Sequence, residues 1–192
     1  MFEERDLPLR RWGEALRRGR AARRARRARY ALWGLAALAV TGLQASISYK
    51  PRPLLVWNTT ESAPIGLYLV AEPRRPPVGK MVIAWPPPSA RSIAAERRYL
   101  PSNVPLVKRV AAVAGDRACA VGDAVWVNGR HAATRAEFDG SGRRMPSWTG
   151  CSDLKQGDYL LLMDGTNSFD GRYFGLTRRD ELVGRAALLW AR

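Results

Sequence analysis

With 192 residues the chain can form one globular domain plus an extension, and its formal net charge of +15 points to an anionic partner, either nucleic acid or a membrane surface. A single histidine and two cysteines, with no Cys-x-x-Cys, argue against a metal centre. No cofactor motif is present.

The charge is unevenly spread. Residues 1–29 carry eleven arginines against four acids. Residues 30–49, Tyr30 to Tyr49, carry no charge at all. As a helix this run would extend roughly 30 Å, enough to cross a hydrocarbon layer. Tyr30 and Tyr49 stand where interfacial aromatics belong, and Arg29 and Lys50 close the run. The cluster Arg17–Arg29 directly before it predicts a cytoplasmic N-terminus and an external remainder. Leu43-Gln44-Ala45 is a poor small-x-small cleavage site, so an uncleaved anchor is expected over a cleavable signal peptide or a buried soluble helix. The arginines are then explained by topology and anionic lipid. No helix-turn-helix, zinc knuckle or stacking motif supports a nucleic-acid partner. The expected division is a basic tail over 1–29, a transmembrane anchor over 30–49 and an extracytoplasmic domain over 50–192.

Beyond the anchor the pattern is mainly β. Short apolar runs predict strands at Pro53–Trp57, Leu67–Val70, Lys80–Trp85, Val104–Ala114, Ala124–Val127, Tyr159–Met163 and Leu182–Trp190. Asn128-Gly129 is a hairpin signal. Ser89–Tyr99 reads as a short helix, with Ser89 as N-cap and Pro101 beyond its end. Residues 135–150 and 164–175 read as loops. Many short strands at close spacing predict a partly closed β-barrel or sandwich. Cys119 and Cys151 fall on the expected outer side, where disulfides persist; a reactive thiol is the alternative.

One stretch stands out for chemistry, Thr60-Glu61-Ser62-Ala63-Pro64-Ile65-Gly66-Leu67-Tyr68. Pro64 fixes its own φ and pushes Ala63 towards an extended conformation, and Gly66 permits a sharp bend. Ser62 thus sits on a stiff, non-helical mount between two strands, and positioning of this kind lowers the entropic part of a barrier. On its own the stretch also fits an ordinary loop serine. His131 follows Asn128-Gly129-Arg130 at an exposed hairpin tip, a poor place for the buried base of a triad. Of the four lysines, Lys50 abuts the anchor, and Lys80 and Lys155 sit beside turn glycines. Lys108 differs, because in strand geometry its same-face neighbours are Leu106 and Val110. An ammonium on an apolar face loses its proton more easily. At an ordinary pKa only about one lysine in 2,500 is neutral at pH 7, so a downward shift is what makes it a usable base. A lysine snorkelling from a strand edge is the plainer reading.

Three segments together carry a resemblance. Thr60–Tyr68 resembles the nucleophile box of type I signal peptidases. Lys108-Arg109-Val110-Ala111-Ala112-Val113-Ala114-Gly115-Asp116 resembles their lysine box. Asp164–Gly175, with Ser168-Phe169-Asp170-Gly171-Arg172, resembles their late Ser-x-Asp-x-Arg box. The order is that of the family, and the Pro-x-Gly-Leu-Tyr after the serine, the Tyr99-Leu100-Pro101 lead-in and the cysteine pair are similar to its conjugative-transfer, TraF-type branch. The resemblance implies Ser62 as nucleophile and Lys108 as general base. It implies Thr60 and the Ser62 backbone N–H as oxyanion donors, Ser168 as the group orienting the lysine, and Asp170 with Arg172 as a structural brace. Ala63, Ala114 and Gly171 depart from the commoner Met, Pro and Ser.

The expected protein is a Ser–Lys endopeptidase of the inner membrane, with its catalytic domain in the periplasm. Its expected substrate is a pilin or other exported precursor, and its expected partners are inner-membrane lipid and conjugation or type IV secretion machinery. The alternatives are a housekeeping signal peptidase and a non-catalytic tethered assembly factor. A self-cleaving repressor fits poorly with the apolar run and the missing DNA-binding helix pair.

Overall fold

The structure, a computed structural model, describes residues 7–48, 53–72 and 75–192. The chain divides into two units at Pro51/Arg52.

In the first unit, helix α1 (Leu7–Ser48) runs unbroken through the arginine cluster and into the uncharged run. Apolar side chains of its second half, including Leu32, Trp33, Leu35, Leu38, Val40 and Leu43, are exposed. The expected membrane-crossing helix is not found. Among the described residues, no helix is long and apolar enough to cross a membrane. The reason lies in composition: arginines fill the first half, and Gly34, Thr41, Gly42, Gln44 and Ser46 dilute the second. The expected flanks Tyr49 and Lys50, and the first six residues of the basic tail, lie outside the described residues.

The second unit is mainly β. Its strands are β1 (Leu55–Asn58), β2 (Gly66–Ala71), β3 (Met81–Ala84), β4 (Leu106–Ala112), β5 (Arg117–Val121), β6 (Ala124–Val127), β7 (Arg130–Thr134), β8 (Gly150–Asp153), β9 (Asp158–Leu162), β10 (Leu176–Arg178) and β11 (Leu182–Ala191). They form an antiparallel seven-stranded sheet in the order β1-β2-β11-β3-β4-β9-β10 and a four-stranded sheet in the order β7-β6-β5-β8. The edges β1 and β10 do not pair with each other, so the large sheet is open and no closed barrel forms among the described residues. Sequence periodicity reports which face of a strand is buried; it carries no information on whether the two edge strands meet.

The long strand β11 joins the two halves of the large sheet. Its beginning pairs with β3 and its remainder with β2, with register shifts at Leu182/Gly184 and Leu188/Trp190. Such irregularities bend a strand and increase its twist. The hairpin β6–β7 turns on Asn128 and Gly129, with φ of 50° and 75°, the left-handed pair that matches strand twist. Helix α2 (Pro88–Glu96) is capped by Pro87 without a side-chain hydrogen bond, so Ser89 is not the N-cap. Pro88 opens the helix instead, where its missing N–H costs nothing. A one-turn helix α3 (Gly171–Phe174) interrupts the expected 164–175 loop.

Apolar side chains lock the two sheets together. Ala118, Ala120, Val125 and Ala133 of the small sheet cluster with Ala112, Leu160 and Leu162 of the large one. Two buried arginines reinforce the join. Arg135 donates to Arg172 O at 3.4 Å and Arg172 donates to Thr134 O at 3.2 Å. Cys119 and Cys151, paired opposite each other on β5 and β8 with Cα atoms 4.0 Å apart, form a disulfide.

Candidate active site

Ser62 projects from the turn between β1 and β2. Gly66 starts β2 with a φ of 157°, and a Cβ there would lie 2.0 Å from the Trp190 carbonyl oxygen, so glycine is required both by the backbone at the turn and by the approach of β11. Ala63 is buried with Tyr68, Ile83, Val107, Met163 and Val183, which anchors one side of the turn. The Tyr68 hydroxyl donates to Pro64 O at 2.8 Å from below.

Asn58, the last residue of β1, organises the rest of this turn. Its amide nitrogen donates to the carbonyls of Thr60 (2.9 Å), Ala63 (3.0 Å) and Pro64 (3.1 Å). Its amide oxygen accepts from the Thr60 N–H at 3.2 Å and the Thr60 hydroxyl at 2.8 Å. Sequence reasoning passed over Asn58; the signal was an Asx residue ending an apolar run just before a turn.

Lys108 lies in β4, only 2 % exposed. Leu106 and Val110 beside it are buried, as strand alternation predicted. Its Nζ donates to Ser62 Oγ at 3.0 Å and to Ser168 Oγ at 2.7 Å. Burial lowers its pKa from 10.5 to about 8; Asp170 opposes the shift and Arg172 adds to it. At that value roughly one molecule in ten holds a neutral amine at pH 7. Thr60 Oγ1 lies 3.2 Å from Ser62 Oγ. Ser62 and Thr60 are partly exposed while Lys108 and Ser168 are not, so a reactant reaches the hydroxyls and leaves the amine dry.

Asp170 and Arg172 are both buried behind the lysine. Asp170 Oδ1 accepts from Arg172 Nε at 2.8 Å and from its N–H at 3.1 Å, and Oδ2 accepts from the Met163 N–H at 3.0 Å. Arg172 also reaches the Met163, Thr134 and Thr166 carbonyls. The guanidinium nitrogens and both carboxylate oxygens thus all have partners, the condition under which a buried pair is tolerated. Gly171 between them presses on β9. A Cβ there would meet Leu161 O at 2.8 Å and Leu160 Cδ1 at 2.9 Å, so the larger serine does not fit this packing.

The six residues expected at the site therefore come together: Thr60, Ser62, Lys108 and Ser168 in direct contact, with Asp170 and Arg172 packed behind. His131 stays apart, exposed on β7, with its ring 3.0 Å from the Thr134 hydroxyl and edge-on to Trp126. Chemically, a hydroxyl beside an amine of lowered pKa can lose its proton to that amine and attack an electrophile.

The family model for signal peptidases, peptidase S26, matches residues 27–191, and the chain belongs to that family, in its TraF-type branch. It is similar to the plasmid transfer protein TraF of Escherichia coli, with 36 % identity over 149 residues, covering 69 % of this chain and 82 % of that one. It is also similar to the conjugal transfer protein TraF of Agrobacterium fabrum, 33 % identical over 139 residues, covering 67 % and 78 %. A crystal structure of a signal peptidase I from Enterococcus faecalis V583 aligns with a TM-score of 0.33 at 18 % identity, covering 59 % of this chain and 98 % of that one.

Proposed function

We propose that the protein is a serine endopeptidase that cleaves a pilin or another exported precursor in conjugative transfer. The observation that carries the reading is the contact of 3.0 Å between Ser62 Oγ and a lysine amine that burial brings to a pKa of about 8. Neutral Lys108 takes the Ser62 proton as Oγ attacks the scissile carbonyl. The Ser62 N–H and Thr60 hydroxyl receive the oxyanion charge. Lys108, now protonated, returns the proton to the leaving amine, and water then hydrolyses the ester on Ser62 with Lys108 again as base. Ser168 holds the amine in line throughout.

The substrate adds in extended form beside the Ser62 turn, giving main-chain recognition with shallow side-chain pockets. The protein works at the cell envelope. α1 supports that placement through its arginine cluster and the exposed apolar side chains that follow.

Mass spectrometry of the precursor incubated with wild-type, Ser62→Ala and Lys108→Ala proteins tests the chemistry. Both variants should fold and leave the precursor intact, and cleavage persisting in both would remove the dyad. Cell fractionation tests the placement: an envelope protein is recovered with the membranes, and recovery in the cytosolic fraction would overturn it.

A further inference from the structure

We propose that Asn58 is a positioning residue of this site, acting on Ser62 through Thr60; the inference rests on the peptidase reading above. Asn58 is only 6 % exposed. Its amide cannot be turned over, because the oxygen would then face the carbonyls of Thr60, Ala63 and Pro64. The orientation of this one side chain is therefore fixed by its surroundings, and it fixes the turn in return.

The hydrogen-bond directions follow from chemistry. An amide oxygen only accepts, so the Thr60 hydroxyl must spend its single hydrogen on Asn58 Oδ1, 2.8 Å away. Thr60 Oγ1 then offers Ser62 Oγ, at 3.2 Å, nothing but a lone pair. While Lys108 is protonated it donates to Ser62, and the Ser62 hydrogen points at Thr60. A directed chain results, Lys108 to Ser62 to Thr60 to Asn58. When Lys108 is neutral the Ser62 hydrogen swings to Nζ, and Thr60 remains held by Asn58. As negative charge grows on the substrate oxygen, the Thr60 hydrogen moves from Asn58 to it, a rotation about one bond. Asn58 thus keeps the Thr60 hydroxyl in the rotamer from which that rotation is short. Its two amide hydrogens, shared among the Thr60, Ala63 and Pro64 carbonyls, hold the backbone on either side of Ser62. No other side chain hydrogen-bonds to both Thr60 and the carbonyls beyond Ser62 among the described contacts.

A double-mutant cycle of Asn58→Ala and Thr60→Val, read as kcat and KM on a precursor peptide with concentrations of folded protein measured independently, tests this. Each single change should lower kcat by roughly 10- to 100-fold with KM little altered. The double variant should lose less than the product of the two single losses, because the two changes share one hydroxyl. The acid limb of the pH–rate profile should stay at that of the wild type in Asn58→Ala, since Lys108 keeps its surroundings. Additive losses, or a kcat per folded molecule within two-fold of wild type in Asn58→Ala, would overturn the proposal. Should Asn58→Ala not fold, Thr60→Val leaves the contacts of the Asn58 amide hydrogens with the backbone carbonyls in place. The Asn58 side-chain amide protons should then still exchange slowly while their resonances shift, and an unshifted signal would equally overturn it. Ser62→Ala is the control that separates the two readings. If it cleaves as the wild type does, the peptidase reading falls and takes Asn58's role with it. If it is inactive while Asn58→Ala is not impaired, only the role of Asn58 falls.

Discussion

Lys108 Nζ reaches within 3.0 Å of Ser62 Oγ although β11 and β3 lie between β4 and the β1–β2 hairpin. In a flat sheet, strands β2 and β4 would stand about 14 Å apart. The bend of β11 at its two register shifts, and the projection of the Ser62 turn past the end of β2, close that gap.

Lys108 sets two pH dependences. For activity, kcat/KM should rise with pH through a midpoint near 8, since only the neutral amine is a base. For stability, below about pH 8 the lysine is protonated in both folded and unfolded chains, and its burial costs stability in full. Between about 8 and 10.5 the unfolded chain holds the proton and the folded one does not, so stability rises with pH across that window. Urea denaturation at pH 7 and 10 should show a gain of about 2–3 kcal/mol that Lys108→Met lacks.

Removing Ser168 leaves the amine with one partner. Ser168→Ala should lower kcat roughly 10- to 100-fold, the worth of one hydrogen bond to a charged buried group, without raising KM. Steady-state kinetics on a precursor peptide check both terms.

Asp170 raises the Lys108 pKa and neutralises Arg172. Its replacement should therefore have two consequences. Asp170→Asn should move the acid limb of the rate profile below that of the wild type. Asp170→Ala should also cost about 3–5 kcal/mol, because it leaves the Arg172 charge buried without its partner. Chemical denaturation and a pH profile separate the two effects.

The Cys119–Cys151 bond closes a loop with a sequence separation of 32. Its loss should cost about 3.5–4 kcal/mol in the chain-entropy model. Cys119→Ala/Cys151→Ala should lower the denaturation midpoint while leaving the Ser62–Lys108 contact intact, since β5 and β8 carry none of the site residues. An unchanged pH–rate midpoint in the folded variant is the check on the second half.

Alternation along β4 was enough to mark Lys108 as a lysine with buried neighbours, and Asn128-Gly129 was enough to place the β6–β7 hairpin. Both depend on residues within a few positions of each other. β5 and β8 were not legible, because Arg117–Val121 and Gly150–Asp153 mix small and charged residues and find their strand form by pairing, β5 with both β6 and β8 and β8 with β5. The ends of α2 were misread for a related reason: Ser89 is a good cap in isolation, but Pro88 claims the first helical position.

What the amino-acid order determined by itself was the inventory: one serine on a proline-braced turn, one lysine among aliphatic neighbours, two cysteines, and an uncharged run behind arginines. Tertiary structure alone decided that the serine and lysine meet, that Ser168 completes the contact, that Asn58 takes the Thr60 hydrogen, and that the sheet stays open. Local pattern depends on short-range sterics and periodicity. These other features depend on the bend of β11 and on close contacts between segments dozens of residues apart, which periodicity does not encode.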